Sequence, residues 1–187
     1  MYFRNTVTLL LLLLLGTVRA QPEESAILKT ILSHYYKTEK VVVKGRTQFL
    51  FLYCDKVNNN EELLETVSAM KLPATTFSKI KKLVVSGRKH ENWNTDLELI
   101  YAADKSKLKY KINSCFSLDE YQVEYKKRNV NNQRMMIISK PIFYDANHAI
   151  VKVVFYRTIE HNNGSVLHLE KINNEWIIKE FLNPWST

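Results

Sequence analysis

The C-terminal third of the chain constrains the fold more than any other part of the sequence. Three segments with frequent apolar/polar alternation follow one another, at about 149–160, 165–172 and 175–182. Alternation of this kind is typical of strands, and the short Asn-rich connections between the segments force neighbouring strands to run antiparallel. The sequence therefore predicts a three-stranded antiparallel meander, closed on its apolar side by Trp176, Ile178 and Phe181.

The register of the first hairpin follows from which side chains must share a face. Val153 and Leu167 belong to the two apolar sets, so the numbers of opposing residues must add up to an even value. A three-residue loop at 162–164 meets this condition, with Gly164 in the left-handed position of a bulged turn. This register places His168 opposite Thr158.

The remaining elements are predicted from periodicity. Apolar residues recurring at intervals of three and four predict helices at about 23–38, 60–71 and 75–85. Alternation or apolar runs predict strands at 41–43, 48–54, 97–101 and 107–112, and around Tyr121, Val123 and Tyr125. A polar loop is expected at 126–134. Together these elements predict one α+β domain, in which N-terminal helices pack on a curved antiparallel sheet that ends in the three-stranded meander.

The first 20 residues have the pattern of a secretory signal peptide. Arg4 precedes an apolar run from Val7 to Leu15, and small residues lead to a cleavage site after Ala20. The run is much shorter than the roughly 20 apolar residues that a spanning helix needs. We therefore expect a mature domain at 21–187 that is secreted or periplasmic and has no transmembrane anchor.

Cleavage lowers the formal net charge from +8 to +6, because Arg4 and Arg19 leave with the signal. In an exported protein, this charge favours anionic surfaces such as lipid headgroups or acidic glycans over nucleic acid, although a basic protein without a charged partner is the simpler interpretation. A candidate patch for such contacts is formed by Lys79, Lys81, Lys82, Arg88 and Lys89. A solvated helix face explains the same residues.

Cys54 and Cys115 are the only cysteines in the chain. Two cysteines in an exported protein favour a disulfide between them, because the compartment is oxidising. The alternative is a pair of buried free thiols, since Cys54 follows the apolar residues 49–53.

Aromatic residues in polar surroundings are the candidate contacts for a ligand or partner. Trp93 lies between Asn92 and Asn94, and Trp185 follows Asn183 and Pro184 near the C-terminus. An exposed tryptophan between hydrogen-bonding side chains suits a sugar or a protein partner. The alternative is that each tryptophan folds back and closes an end of the core.

Motifs for common catalytic chemistries are missing from the sequence. There is no His-x-x-x-His or His-Glu-x-x-His spacing, and His161 and His168 do not assemble a ligand set in the predicted register, so no metal site is expected. There is likewise no Gly-x-Ser-x-Gly or Walker sequence. No catalytic residue and no cofactor are therefore assigned.

Three short segments carry a resemblance to a known group of proteins. They are Ser-Lys-Pro-Ile-Phe at 139–143, Ala-Ile-Val at 149–151 and Asn-Glu-Trp-Ile-Ile at 174–178. The chain resembles uncharacterised exported proteins of Bacteroidota-type bacteria, which carry a Ser-x-Pro-Ile-Phe segment and a C-terminal strand meander. The resemblance covers about residues 135–182 and implies export and lineage, without an activity. A looser similarity to NTF2-like proteins implies only helices packed on a curved sheet.

These observations favour a non-catalytic exported protein that binds a small ligand, a glycan or a protein partner. One alternative is a small hydrolase-like enzyme whose acid/base pair is assembled from distant residues. Another is an envelope accessory protein that acts through its Lys-rich surface. A pocket with convergent polar groups and a perturbed His or carboxylate would favour the enzyme, and a clustered exposed patch would favour partner binding.

Overall fold

A computed structural model of the chain describes residues 22–38, 49–58, 61–86, 91–103, 114–128, 133–158 and 161–187. The helices in these residues are α1 (Glu23–Thr38), α2 (Glu61–Ala69), α3 (Ala74–Ser86), α4 (Asn94–Ala103) and α5 (Leu118–Arg128). The strands are β1 (Phe49–Tyr53), β2 (Cys115–Phe116), β3 (Gln133–Ile138), β4 (Ile142–Phe143), β5 (His148–Thr158), β6 (His161–Ile172) and β7 (Glu175–Ser186). The predicted α+β class is confirmed.

All seven strands form one mixed sheet. Its order is β2-β1-β3-β5-β6-β7, and β4 follows β3 along the same side of β5. The C-terminal strands β5, β6 and β7 form the predicted antiparallel meander. The N-terminal part of the sheet differs from the expectation of an antiparallel sheet, because β1 pairs in parallel with both β2 and β3. The long helical connections between these strands are what a parallel crossover requires.

The first hairpin of the meander has the predicted parity but a different register. Val151 lies opposite Leu167, so the apolar sets of β5 and β6 share a face. However, His168 lies opposite Ile150 rather than Thr158, which corrects the predicted register. β6 begins at His161, earlier than the sequence indicates. An irregularity between Tyr156 and Thr158 changes the pairing by one residue, and this gives the even sum that the three-residue loop was predicted to give.

Gly164 is also placed differently from the prediction. It lies inside β6, opposite Val154 of β5 and Trp185 of β7, and not at a left-handed turn position. A Cβ atom at this position would lie 2.7 Å from the carbonyl oxygen of Val153 and 3.0 Å from the Trp185 ring. Glycine is therefore required here by close packing rather than by a positive φ.

The second hairpin turns at the predicted Asn173-Asn174 pair. Both residues have positive φ, 50° and 65°, and Ile172 pairs with Glu175 around them. Two central residues with positive φ define the type I′ turn that antiparallel strands favour, and Asn tolerates this conformation better than most residues.

Helices cover both faces of the sheet. On the first face, α1 and α4 bury their apolar sides against Val151, Leu167 and Leu169. On the second face, α2 and α3 pack near Ile150 and Val166, while α5 packs through Tyr121 beside β1 and β3. Because both faces are covered, open surface is found at the ends of the strands and along the outer strands.

Two predicted strands are helices in the structure. The 97–101 segment belongs to α4, where Leu97 and Ile100 are buried and Leu99 is exposed. The segment around Val123 belongs to α5, where Tyr121 is buried and Val123 is 64% exposed. Burial at intervals of three or four, rather than two, is the helical pattern.

Cys54 and Cys115 form the predicted disulfide, which joins the end of β1 to the start of β2 with their Cα atoms 4.8 Å apart. Other predictions lie wholly or partly outside the described residues. The strands at 41–43 and 107–112 are outside them, as are residues 129–132 of the predicted loop. The two ends of that predicted loop belong to α5 and β3 instead, so the prediction of a loop is wrong there.

Candidate functional site

A polar groove lies where three chain segments meet at one end of the sheet. The β4–β5 connection and the β6–β7 turn lie together because β5 starts where its antiparallel neighbour β6 ends. The backbone N–H of Lys171 donates to the carbonyl oxygen of Asn147 at 2.7 Å, which ties the two connections together. The N-terminus of α1 joins them through Glu23, whose carboxylate accepts hydrogen bonds from Lys171 and Trp176.

The groove consists of two adjoining depressions that share Glu23 and Phe143. The first has a volume of about 680 Å³, and its lining includes Asp145, Asn147, Lys171, Asn173 and Asn174. The second has a volume of about 650 Å³, and its lining includes Glu24, Lys56, Glu91, Asn92, Asp96 and Leu99. Phe143 is half-buried and meets the ring of Trp176 edge-on at 5.8 Å, so an aromatic side chain lies between the two depressions.

Lys56 organises the second depression. Its ammonium group lies 2.6 Å from Glu24 and 2.8 Å from Asp96, and 4.5 Å above the ring of Trp93. The Ser25 hydroxyl donates to the other oxygen of Asp96 at 2.6 Å. Burial alone would lower the pKa of Lys56, but its hydrogen bonds with Asp96 and Glu24 raise that pKa above the usual value. Lys56 is therefore a charged group that fixes the surrounding carboxylates.

The other carboxylates of the groove also have nearby partners. Glu23 accepts from Trp176 Nε1 at 2.5 Å and from Lys171 at 2.6 Å, and although its partial burial acts to raise its pKa, these hydrogen bonds lower it. Glu91 pairs with Lys140 at 2.5 Å. Asp145 lies 2.9 Å from Nδ1 of His148; its partial burial acts to raise its pKa, but hydrogen bonds from the Asn147 backbone and His148 lower it. The groove therefore offers many hydrogen-bonding groups whose charges are largely matched.

A cluster of aromatic and titratable side chains occupies the second face of the sheet near the groove. The rings of Tyr144, His148 and His168 stack with centroid separations of 5.4 to 6.1 Å, and the Tyr144 hydroxyl lies 2.7 Å from Nε2 of His168. Burial lowers the pKa of His168, and burial together with Asp145 and Glu170 raises that of Tyr144 to about 12. Tyr144 therefore keeps its hydroxyl proton at neutral pH and is not a nucleophile.

The tryptophan contacts predicted from the sequence do not reach this groove. Trp93 has no exposed surface, so of the two interpretations the core-closing one holds for this residue. Trp185 belongs to β7 and is half-buried against Gly164 of β6. It lies near the end of β7, far from the β6–β7 turn. Asn92 does line the groove, whereas Asn94 is exposed at the start of α4.

The predicted basic patch is only partly within the described residues. Lys79, Lys81 and Lys82 are exposed on α3, and Arg88 and Lys89 lie outside the described part of the chain. The Lys79 ammonium donates to the carbonyl oxygen of Tyr144 at 2.7 Å, so at least this lysine has a structural contact.

Most groove residues were not candidates in the sequence, because they belong to turns and helix ends rather than to motifs. The available signal was topological. A predicted meander puts the turn before β5 and the turn after β6 at the same end, and both turns carry exposed Asn residues, Asn147, Asn173 and Asn174. What the sequence could not indicate is that the N-terminus of α1 lies against them.

Within the described residues, no group of three or more His, Cys, Asp or Glu side chains is arranged to hold a metal ion. No helix in that part of the chain combines the length and the apolar character needed to span a membrane. Comparison with known proteins gave no match to a family model, a curated protein or a solved structure.

Proposed function

We propose that this protein is an exported, non-catalytic binding protein that takes a neutral, hydroxyl-rich ligand such as a saccharide in the polar groove. The observation that carries the proposal is the pair of adjoining depressions that share Phe143, lined by side chains whose charges are largely matched within the protein. Ligand sites are usually concave and hold a small number of fixed polar groups that orient the ligand.

The lining matches the chemistry of a sugar. A pyranose ring has apolar C–H faces that pack on an aromatic side chain, which Phe143 supplies at the junction of the depressions. Its hydroxyls both donate and accept, and Asn147, Asn173 and Asn174 offer amide groups of both kinds. Because Glu23 and Glu24 already pair with Lys171 and Lys56, a neutral ligand leaves no charge unmatched.

Two features support export. The first 20 residues have the signal-peptide pattern, and Cys54 pairs with Cys115. Disulfides form and persist mainly in oxidising compartments such as the periplasm and the extracellular space.

The proposal is tested by calorimetric titration of the purified protein with cellohexaose, laminarihexaose and chitohexaose, with spermine as a cationic probe. We expect at least one oligosaccharide to bind and Phe143→Ala to weaken that binding roughly two- to tenfold, because an aromatic contact contributes roughly 0.5–1.5 kcal/mol beyond its buried area. Gln122→Ala, an exposed position on α5, is the matched control and should leave binding unchanged. Binding of spermine alone, or saccharide binding that Phe143→Ala does not affect, would contradict the proposal.

The stacked His and Tyr cluster favours a second candidate, the hydrolase-like enzyme. Asp145 holds Nδ1 of His148 at 2.9 Å, which is the arrangement of an oriented general base, and Nε2 lies 3.7 Å from Glu170. This candidate predicts turnover of p-nitrophenyl esters or glycosides that His148→Ala abolishes. Equal background rates for the wild-type protein and the variant would eliminate it.

A further inference from the structure

The outer strand β7 carries a self-complementary edge. Within the described part of the chain, β7 ends the strand order and pairs only with β6. The strand has 12 residues, and the Trp176 carbonyl near its start accepts a hydrogen bond from the Thr30 hydroxyl of α1. Beyond Trp176, the side chains of Ile177 and Phe181 are 41% and 43% exposed. The edge from Ile177 to Leu182 is a template for pairing with another strand.

A bulge gives this edge a symmetrical arrangement of faces. Leu169 of β6 pairs with Ile178 and His168 pairs with Glu180, so Lys179 is an extra residue in β7. Lys179 nevertheless reaches Glu170, which lies beside His148 on the second face of the sheet. Both Lys179 and Glu180 thus belong to the second face.

The residues on either side of the bulge complete the pattern. Ile178 packs with the first-face core, and Phe181 lies opposite Leu167 of that core and 5.3 Å from the His34 ring of α1. Leu182 packs with the second-face core, and Ile177 alternates with Ile178, so it is on the second face as well. The side chains of residues 177 to 182 therefore lie, in order, on the second, first, second, second, first and second faces of the sheet. This order is the same in both directions along the strand.

We propose that two copies of this chain dimerise by antiparallel pairing of their β7 strands about a two-fold axis between Lys179 and Glu180. In this register Ile178 lies opposite Phe181 and Ile177 opposite Leu182, each pair on one face. Lys179 of each copy lies opposite Glu180 of the other, which makes two pairs of opposite charge. Pro184, which has no N–H to donate, ends the pairable segment.

The charges select this register. A shift by one residue in one direction places Lys179 opposite Lys179, and a shift in the other places Glu180 opposite Glu180. Either shift also sets first-face apolar residues against second-face ones, which a paired sheet does not accommodate. The occupant of this edge is thus a second copy of the chain, in the self-matching orientation that a two-fold interface requires.

The test is the monomer–dimer equilibrium of the full purified protein, followed by light scattering and native mass spectrometry from low micromolar to submillimolar concentration. We expect a dimer whose dissociation constant rises about tenfold in Lys179→Glu and in Glu180→Lys, because each change places two like-charge pairs in the interface. The double variant Lys179→Glu/Glu180→Lys exchanges the charges and should dimerise like the wild-type protein. Lys82→Glu, an exposed position on α3, is the control for net charge.

Thermal unfolding of each variant verifies that the fold is retained, since Lys179 also pairs with Glu170 at 2.7 Å in its own chain. A wild-type protein that stays monomeric throughout would overturn the proposal, and would show that the bulge and Lys179 protect the edge instead. A double variant that dimerises no better than the single variants would overturn it as well. Neither result depends on whether the groove binds a saccharide.

Discussion

Substitutions at Gly164 distinguish two explanations for a glycine near a hairpin turn, namely a positive φ and close packing. If this glycine had a positive φ, Asn would be tolerated there and Ala would not, because Asn adopts the left-handed conformation more readily. In the structure Gly164 is an interior strand residue, and any Cβ would lie 2.7 Å from the Val153 carbonyl oxygen. Ala and Asn should then both destabilise the fold.

The magnitude follows from what must move. The Val153 carbonyl belongs to the backbone of β5, so it cannot rotate away as a side chain would, and the Trp185 ring closes the other side at 3.0 Å. Overpacking of this kind costs about 1–3 kcal/mol. We therefore expect Gly164→Ala to lower the free energy of unfolding by about 2 kcal/mol and Gly164→Asn by at least as much.

The assay is urea unfolding of the wild-type protein and both variants, followed by tryptophan fluorescence, with the slope checked for two-state behaviour. In a Trp185→Ala background, Gly164→Ala should cost less than in the wild-type background but should still destabilise the fold, since the Val153 contact remains. Wild-type stability for Gly164→Asn together with a destabilised Gly164→Ala would refute the packing explanation and restore the turn explanation.

Two further changes test the disulfide and the buried histidine. Replacing both Cys54 and Cys115 by Ala should lower the free energy of unfolding by about 4 kcal/mol, because the bond closes a loop between residues 61 apart in sequence; an intact wild-type mass equal to that of the reduced chain would contradict the disulfide itself. Burial lowers the pKa of His168 below its usual 6.5, so the unfolded chain binds the proton first and stability should fall as the pH drops below about 6.5 towards the folded-state pKa. Urea midpoints at pH 7.5 and 5.5 should therefore differ less for His168→Gln than for the wild-type protein, and an equal difference would contradict this assignment.

The sequence predicted the C-terminal meander well because apolar alternation and an Asn-Asn turn agree there. It failed at α5 because Tyr121, Val123 and Tyr125 alternate as a strand would. The helical signal lies at the start of the same segment, where Ser117 and Glu120 form a capping box. The Ser117 N–H donates to the Glu120 carboxylate at 2.7 Å, and the Glu120 N–H donates to the Ser117 hydroxyl at 3.2 Å. A start signal outweighs three alternating residues.

The groove was beyond prediction for a different reason. Its residues are brought together by tertiary contacts that span the chain, such as the 2.5 Å hydrogen bond from Trp176 to Glu23. Local periodicity carries no information on which helix end meets which turn. Trp93 lies between the polar residues Asn92 and Asn94 and is nevertheless completely buried, as the core-closing interpretation predicts.

The most direct test of the proposed binding function is an NMR titration of the ¹⁵N-labelled protein with the oligosaccharide that gives the strongest calorimetric signal. The account predicts that amide shifts concentrate at the groove, at Phe143, Asn147, Lys171 and Asn174 above all, and that in Phe143→Ala the same shifts require a higher saccharide concentration. Shifts centred instead on His148 and His168, or no saccharide-dependent shifts at all, would contradict the assignment of the groove as the binding site.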